Sequence, residues 1–582
     1  MTADLDGVFV DRVRAALADR IRMIVNEAGL DAAGGDAWRS LQHRQLAERI
    51  KALVVTGDEE LFGHAVTLAT RLRGLQGPSG LFTGGDNVDS PPDSAFSIND
   101  LADALRLLRH TGATAGPLTA LLEELLTAAL PALVGGGVHT PNHRWEISAA
   151  LARLHLLWPQ PALAGRVDEW LAEGVDIDAD GLYSERSANY AAYVSNPSLL
   201  TIADVFNRKD LVDAVERNLD ATLDLLLPDG TVETVLSRRQ DQHRPVLLAG
   251  FLLPLRRVAQ LRQRGDLAWA AGLALGQGVI LPAEAATQLV LEPGIARPLP
   301  APVPPERPRQ RVFGAAGLLV DHGPAATTVL FGGSDFPRHR QIRSGLANSP
   351  TFLRLFAGEA ALESVRLSRT FFSFGPFRAD GLTVERDQEG TTVTLAETVA
   401  AGYYQPLASE DRDSRGDYRL VDEGRFSAQM DFGRRTRDEV TLTTTVRARI
   451  ADAGREAAGV LLTVEMTGAV VDWALELAFR PGGTMTGARA LGADRWQLDA
   501  PAAAAGPVAA TYQVNNDAIT VALMAASDRH GGPLPATSSV PGYEPGEEYR
   551  FLGGTDAATG TLLYVAGRVP ARVQLLLATQ AP

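Results

Sequence analysis

The 582-residue sequence contains no cysteine. Disulfides, thiolate metal sites and thiol catalysis are thereby excluded. Aromatic residues are sparse, at 6% of the chain, and there is no basic surplus: the formal net charge is -15. With no basic stripe to offset that charge, a nucleic-acid partner is excluded. An acidic chain can still bind an acidic sugar when its cleft is locally positive. The opening residues, Met1-Thr2-Ala3-Asp4-Leu5-Asp6-Gly7, carry no basic segment followed by an apolar run, so no secretory signal is read. No stretch is read as reaching the roughly 20 apolar residues that cross a bilayer. A cytoplasmic location and no membrane partner are the expectation. What is present is a 45% hydrophobic, globular composition, long enough for two large domains.

Residues 5 to about 290 carry helical periodicity. Leu101-Leu105-Leu108, Leu118-Leu121-Leu122-Leu125 and Leu211-Val215-Leu219-Leu223 are examples. Short Gly, Pro and Asp loops separate the segments, which suggests paired antiparallel helices in a closed toroid or a solenoid. Pro293 to Pro305 is too rich in proline for helix and reads as a stiff linker. Beyond residue 311 the period changes to two. Thr391–Leu395, Val440–Val446, Val460–Val464 and Gln574–Leu577 read as strands of an antiparallel β-sandwich. The expected order is a helical toroid over 1–292, a linker over 293–310 and a sandwich over 311–582.

Two polar islands interrupt the helical half: His139-Thr140-Pro141-Asn142-His143-Arg144-Trp145, and Asp180-Gly181-Leu182-Tyr183-Ser184-Glu185-Arg186-Ser187-Ala188-Asn189-Tyr190. An amide that hydrogen-bonds a carboxylate, with an imidazole and a phenol to move protons, suits proton removal next to that carboxylate. Each residue also has a plain structural reading. Asn142 after Pro141 is a good helix N-cap. His143 and Tyr190 could be core residues, and Glu185 could orient Arg186 or cap a helix. Thr83 to Phe96 is a polar loop leading into a helix read as Ser97 to Leu108. There, Asn87 and Asp93 either touch sugar hydroxyls or form an ordinary N-cap loop, and the plainer reading is preferred.

The order of these motifs, with Pro228-Asp229-Gly230, Ser237-Arg238-Arg239-Gln240-Asp241 and Gly333-Ser334-Asp335-Phe336-Pro337-Arg338-His339, resembles the heparinase II/III-like polysaccharide lyases and the related oligo-alginate lyases. The resemblance implies a helical (α/α) toroid followed by a β-sandwich, and β-elimination at a uronic acid, exo-acting on short oligosaccharides. It implies that Asn142 neutralises the carboxylate and that Tyr190, with Tyr193 as fallback, and His143 act as base and acid. His339 would reach the same chemistry from the sandwich. Ala191 follows Tyr190 where the family often has His, a departure that bears on substrate more than on reaction.

Substrate contacts are expected from Trp145, stacking on a sugar ring, from Glu185 and Arg186, and from Arg238, Arg239, Arg338 and Arg343, whose forks suit carboxylates. No cofactor is expected, and no metal site: the β-half offers only His322, His339 and His530. The expected partner is an acidic oligosaccharide, and a sandwich of this size offers surface for a homodimer. The alternatives are a glycoside hydrolase using two carboxylic acids about 5 to 10 Å apart, drawn from Asp86, Asp93, Glu185 and Asp241, or a carbohydrate-binding protein without catalysis.

Overall fold

The structure is a computed structural model that describes residues 5–32, 37–112, 116–307, 309–422, 427–451, 459–499, 507–527, 543 and 558–579. It divides into two compact units. One comprises residues 1–226, 230–232 and 246–305, the other residues 227–229, 233–245 and 306–582.

The first unit is helical. Its helices are α1 (Gly7–Ala32), α2 (His43–Val54), α3 (Phe62–Leu75), α4 (Pro91–Thr111), α5 (Pro117–Gly135), α6 (His143–Leu157), α7 (Pro161–Ala172), α8 (Ala188–Tyr190), α9 (Asn196–Phe206), α10 (Lys209–Asp224), α11 (Leu252–Arg262), α12 (Gly265–Gln277) and α13 (Pro282–Leu291). They pack as an inner row, α2 on α4, α4 on α6, α6 on α9 and α9 on α11. The next helix along the chain backs each one, and α13 returns onto α2 and α4. That return closes the ring, a toroid rather than an open solenoid, and α4, α6, α9, α11 and α13 line a pocket of about 230 Å³. The burial of α6 shows why it is an inner helix: residues 143–152 are all buried, leaving no solvent face.

Several expectations need correction here. Helix α4 begins at Pro91, not Ser97, because the pair Pro91-Pro92 occupies its first turn, where no amide is needed, and Ser90 caps it. A two-stranded hairpin, Phe82–Gly84 with Asn87–Ser90, precedes it. Helix α5 is, by length and composition, apolar enough to cross a membrane, contrary to the reading that no stretch is. It packs on α3, α4 and α7 as an outer helix of the ring, burying Leu118, Leu122, Leu125 and Leu126. The proline-rich stretch up to Pro305 is laid against the helices rather than strung between units. Arg256 donates to the carbonyls of Ile295 (2.8 Å) and Arg297 (2.7 Å), and Val303 N–H donates to Gly265 O at 2.9 Å.

The second unit holds an eight-stranded and a nine-stranded sheet. In the first, Gly390–Tyr404, Arg437–Ala451, Gly459–Gly468 and Ala571–Thr579 lie side by side, all antiparallel. In the second, Asp472–Phe479 lies between Ala360–Arg369 and Thr561–Arg568. Inward residues of both sheets, among them Leu395, Val446, Leu462, Leu475, Leu367 and Leu577, form one apolar core. This is a sandwich built on period-two burial. It is antiparallel apart from one short parallel pairing, Arg495–Gln497 with Thr561–Arg568. Residues 233–245, interior to the helical half of the sequence, belong to this unit. Glu233 is buried and accepts from its own loop's Thr234 and Val235 amides and from Arg354 (2.8 Å).

Candidate active site

The N-terminal ends of α2, α4 and α6 converge in the helical unit. His43, the first residue of α2, shares a 2.8 Å hydrogen bond with Ser97 of α4 and stacks on Phe82 with ring centroids 5.0 Å apart. Arg44 pairs with Asp93, the third residue of α4, and its guanidinium lies 3.7 Å over the ring of Phe96. Phe96 meets His143 of α6 edge-on, with centroids 6.5 Å apart, and His139 meets His143 in the same manner at 4.7 Å. Three helix N-termini give this corner a positive bias that favours an anionic group.

Asn142 is not the N-cap that Pro141-Asn142 suggests. Its backbone is already helical (φ -65, ψ -24) and its side chain makes no capping hydrogen bond. The Oδ1 accepts from Thr140 at 2.7 Å, while the buried Nδ2 has no partner among the described residues. A buried donor left without a partner costs on the order of 1–3 kcal/mol, so such a group needs a reason. An amide held in place for an anionic acceptor supplies one.

Two buried groups beside this corner have displaced titrations. Burial, with Arg44 alongside and Asp93 opposing, pushes His43 down to about 4. Glu146 lies one turn after His143 and is held by Asn99 Nδ2 at 2.7 Å and Ser198 Oγ at 3.3 Å. Burial pushes its carboxyl up to about 7, against the opposing pull of Asn99, Arg153 and Arg44. Asp93 goes the other way: burial pushes it up, but hydrogen bonds from Ser90 and Asn87 and the charge of Arg44 outweigh that and hold it below the usual carboxylate range. Only glycine fits at 84, because a Cβ there would lie 2.6 Å from the Asp93 carboxyl.

Tyr190 ends α8, whose cap is Ser187: its Oγ accepts from Tyr190 N–H at 3.1 Å. Arg186, just before it, has a left-handed backbone (φ 51), and Ala191–Ser195, just after it, forms a π-helical turn. Such features mark sites where local geometry is held away from the ordinary. The π turn packs on α6 and leads into α9, which also packs on α6, so Tyr190 lies in sequence just ahead of an inner helix that neighbours α6. Tyr193 lies inside the π turn, and burial pushes its phenol up from the ordinary value. Glu185 is buried, and Arg186 is half-buried.

Trp145 cannot stack on a sugar. It is fully buried, and its indole N–H donates to Asp176 at 3.0 Å. On a helix buried on every side, the residue three after Asn142 faces the core. The predicted basic residues gather in the second unit. Arg238 forks onto Asp335 (2.8 and 3.0 Å), so that fork is engaged rather than open to a substrate. Arg338 pairs with Asp380 at 2.8 Å, and Gly345 N–H donates to Arg238 O at 2.7 Å. Arg239 is half-buried, and Arg343 and His339 are exposed, His339 at the end of the short helix α14 (Phe336–His339). The corner in the helical unit is therefore built from His43, Arg44, Asp93, Phe96, His139 and His143, with Asn142 adjoining in sequence; Arg238, Arg239, Arg338 and Arg343 belong to the second unit. Sequence reasoning missed Arg44, His43, His139 and Glu146. Among the described residues no group of three or more His, Asp or Glu is placed to hold a metal. His530 lies outside the described residues.

No family model matches the chain, and no curated protein does. Solved structures of polysaccharide lyases are similar to it. A Paenibacillus xanthan lyase aligns over 99% of this chain and 56% of its own, with 12% identity and a TM-score of 0.47. The heparan sulfate lyase HepC from Pedobacter heparinus aligns over 93% and 76%, with 12% identity and a TM-score of 0.43. The chondroitin AC lyase of Streptomyces coelicolor A3 aligns over 93% and 92%, with 13% identity and a TM-score of 0.38. At these TM-scores the likenesses assign no activity to this chain.

Proposed function

We propose that the chain cleaves a uronic-acid-containing oligosaccharide or polysaccharide by β-elimination. The observation that supports this most is the buried, unpartnered Nδ2 of Asn142 beside His143. Neutralising the uronate carboxylate makes the C5 proton removable, because the negative charge that develops on the acid is met by a fixed donor. A base takes the C5 proton, a C4=C5 double bond forms, and the C4–O4 bond breaks with a proton delivered to O4. Tyr190 does both transfers when proton and leaving group share a face of the ring; His143 is the base when they do not.

A hydrolase needs a carboxylic acid still protonated near neutral pH. Asp93 is held below the usual carboxylate range, and Glu146, pushed up to about 7, is buried and already held by Asn99 and Ser198. Elimination needs neither as its acid. The test is ultraviolet absorbance of the conjugated product over a panel of acidic oligosaccharides, with wild type beside Tyr190→Phe and His143→Ala. A rise that the variants lack supports elimination. New reducing ends without absorbance would move the case to hydrolysis, and binding without either product to a non-catalytic role. Product sizes over time separate exo from endo action.

A further inference from the structure

Arg44 has no assigned role, yet it touches both an aromatic ring and a carboxylate of the candidate site. Its guanidinium lies flat over Phe96, whose edge meets His143. Nη2 pairs with Asp93, and among the described residues that is the only hydrogen bond the guanidinium makes. Its side chain is 41% exposed, against 8% for Asp93. A planar cation fixed by an aromatic face on one side and by one carboxylate at a single N–H of Nη2 keeps one two-pronged edge, the other Nη2 N–H with its neighbour on that edge, available in a set orientation. A residue needed only to neutralise Asp93 would not require this, since Ser90 and Asn87 already donate to that carboxylate.

We infer that Arg44 selects substrates carrying a second anionic group, a carboxylate or a sulfate, on the sugar adjoining the one bound at Asn142. This rests on the reading of the α6 start as a uronate site. The fork recognises two oxygens of such a group together, and the Phe96 ring holds the fork so that little side-chain freedom is lost on binding. The substrate class is then a glycan with charge on consecutive residues.

The test is calorimetric binding, with no turnover required, of three saturated disaccharides: uronate–uronate, uronate–sulfated hexosamine and uronate–neutral hexose. Wild type is expected to bind one of the two doubly charged probes at least about tenfold more tightly than the singly charged one, and the preferred probe names the group. Arg44→Gln is expected to lose about 10- to 100-fold on that probe and little on the neutral-neighbour probe. Equal binding of all three probes by wild type, or undiminished discrimination in a folded Arg44→Gln, overturns the proposal. Should that variant not fold, Arg44→Lys reads the same quantity: reduced discrimination supports a forked contact, and unchanged discrimination overturns it. Absorbance is followed separately on the same probes. Discrimination without elimination would sink the lyase reading and leave the anion site standing.

Discussion

In the sandwich unit two deeply buried arginines each have a matching charge beside them. Arg366 pairs with Glu476, which also accepts from Tyr564 at 2.7 Å, and Arg369 pairs with Glu397 at 2.8 Å. In the helical unit the buried polar groups at the starts of α2 and α6 include Asn142, whose donor is idle, and Glu146 and His43, whose burial displaces their titration. The first of these sandwich pairs joins neighbouring strands of one sheet, and the second joins the two sheets. The convergent helix ends are incomplete as they stand, and an incomplete polar set in a stable fold marks the place where something else binds.

The largest expected effect that sharpens this contrast is on turnover. Asn142→Ala is expected to lower uronate cleavage by about 10²- to 10³-fold, the range for removing one preorganised donor. Its unfolding free energy should stay within about 1 kcal/mol of wild type, since a lost Thr140 contact is offset by removal of an unsatisfied donor. Denaturant melts beside initial rates check both halves, and a large loss of stability would make Asn142 structural. The reverse pattern is expected across the sandwich. Glu476→Ala strands Arg366 and should cost about 3–5 kcal/mol, and Leu475→Ala should cost about 2–5 kcal/mol. Melting curves read both, and a stable Glu476→Ala would break the comparison.

The smallest effects lie in pH dependence. Glu146 has its folded value near 7, above the ordinary 4.5, so its contribution is full below about pH 4.5 and is lost as pH rises through 7. His43 is displaced downward, to about 4 from 6.5. Its contribution is present above about pH 6.5 and is lost as pH falls through 4. Glu146→Gln should therefore flatten the melting temperature between pH 4.5 and 7, and His43→Asn between 4 and 6.5. Profiles identical to wild type would show that neither group titrates as described.

Four strands were readable because burial alternates along each of them. The four runs picked from sequence lie within four adjacent strands of one sheet. Helices with one apolar stripe, such as α10, were equally plain. The toroid's inner helices were harder, because a helix buried all round has no stripe to show which residue faces the centre; Trp145 was misread for that reason. Arg44 was invisible because its partners, Asp93 and Phe96, lie about fifty positions along the chain, and nothing local distinguishes it from a solvated arginine. Asn142 was singled out, but a helix start offers a cap and a substrate-binding amide in the same letters; the backbone angles and the idle Nδ2 speak against the cap.

The excursion of residues 233–245 sets how this protein can be taken apart. Its folding partners, Arg354 and Asp335, are made a hundred or so residues later than Glu233 and Arg238. During synthesis the helical ring is complete in sequence while this segment still waits for the sandwich. A break after Pro305 would leave one fragment trailing an orphaned carboxylate, Glu233, and an orphaned arginine, Arg238, and the other lacking the groups that complement Arg354 and Asp335. Anyone seeking the two halves as separate proteins has to transplant a loop, not choose a cut.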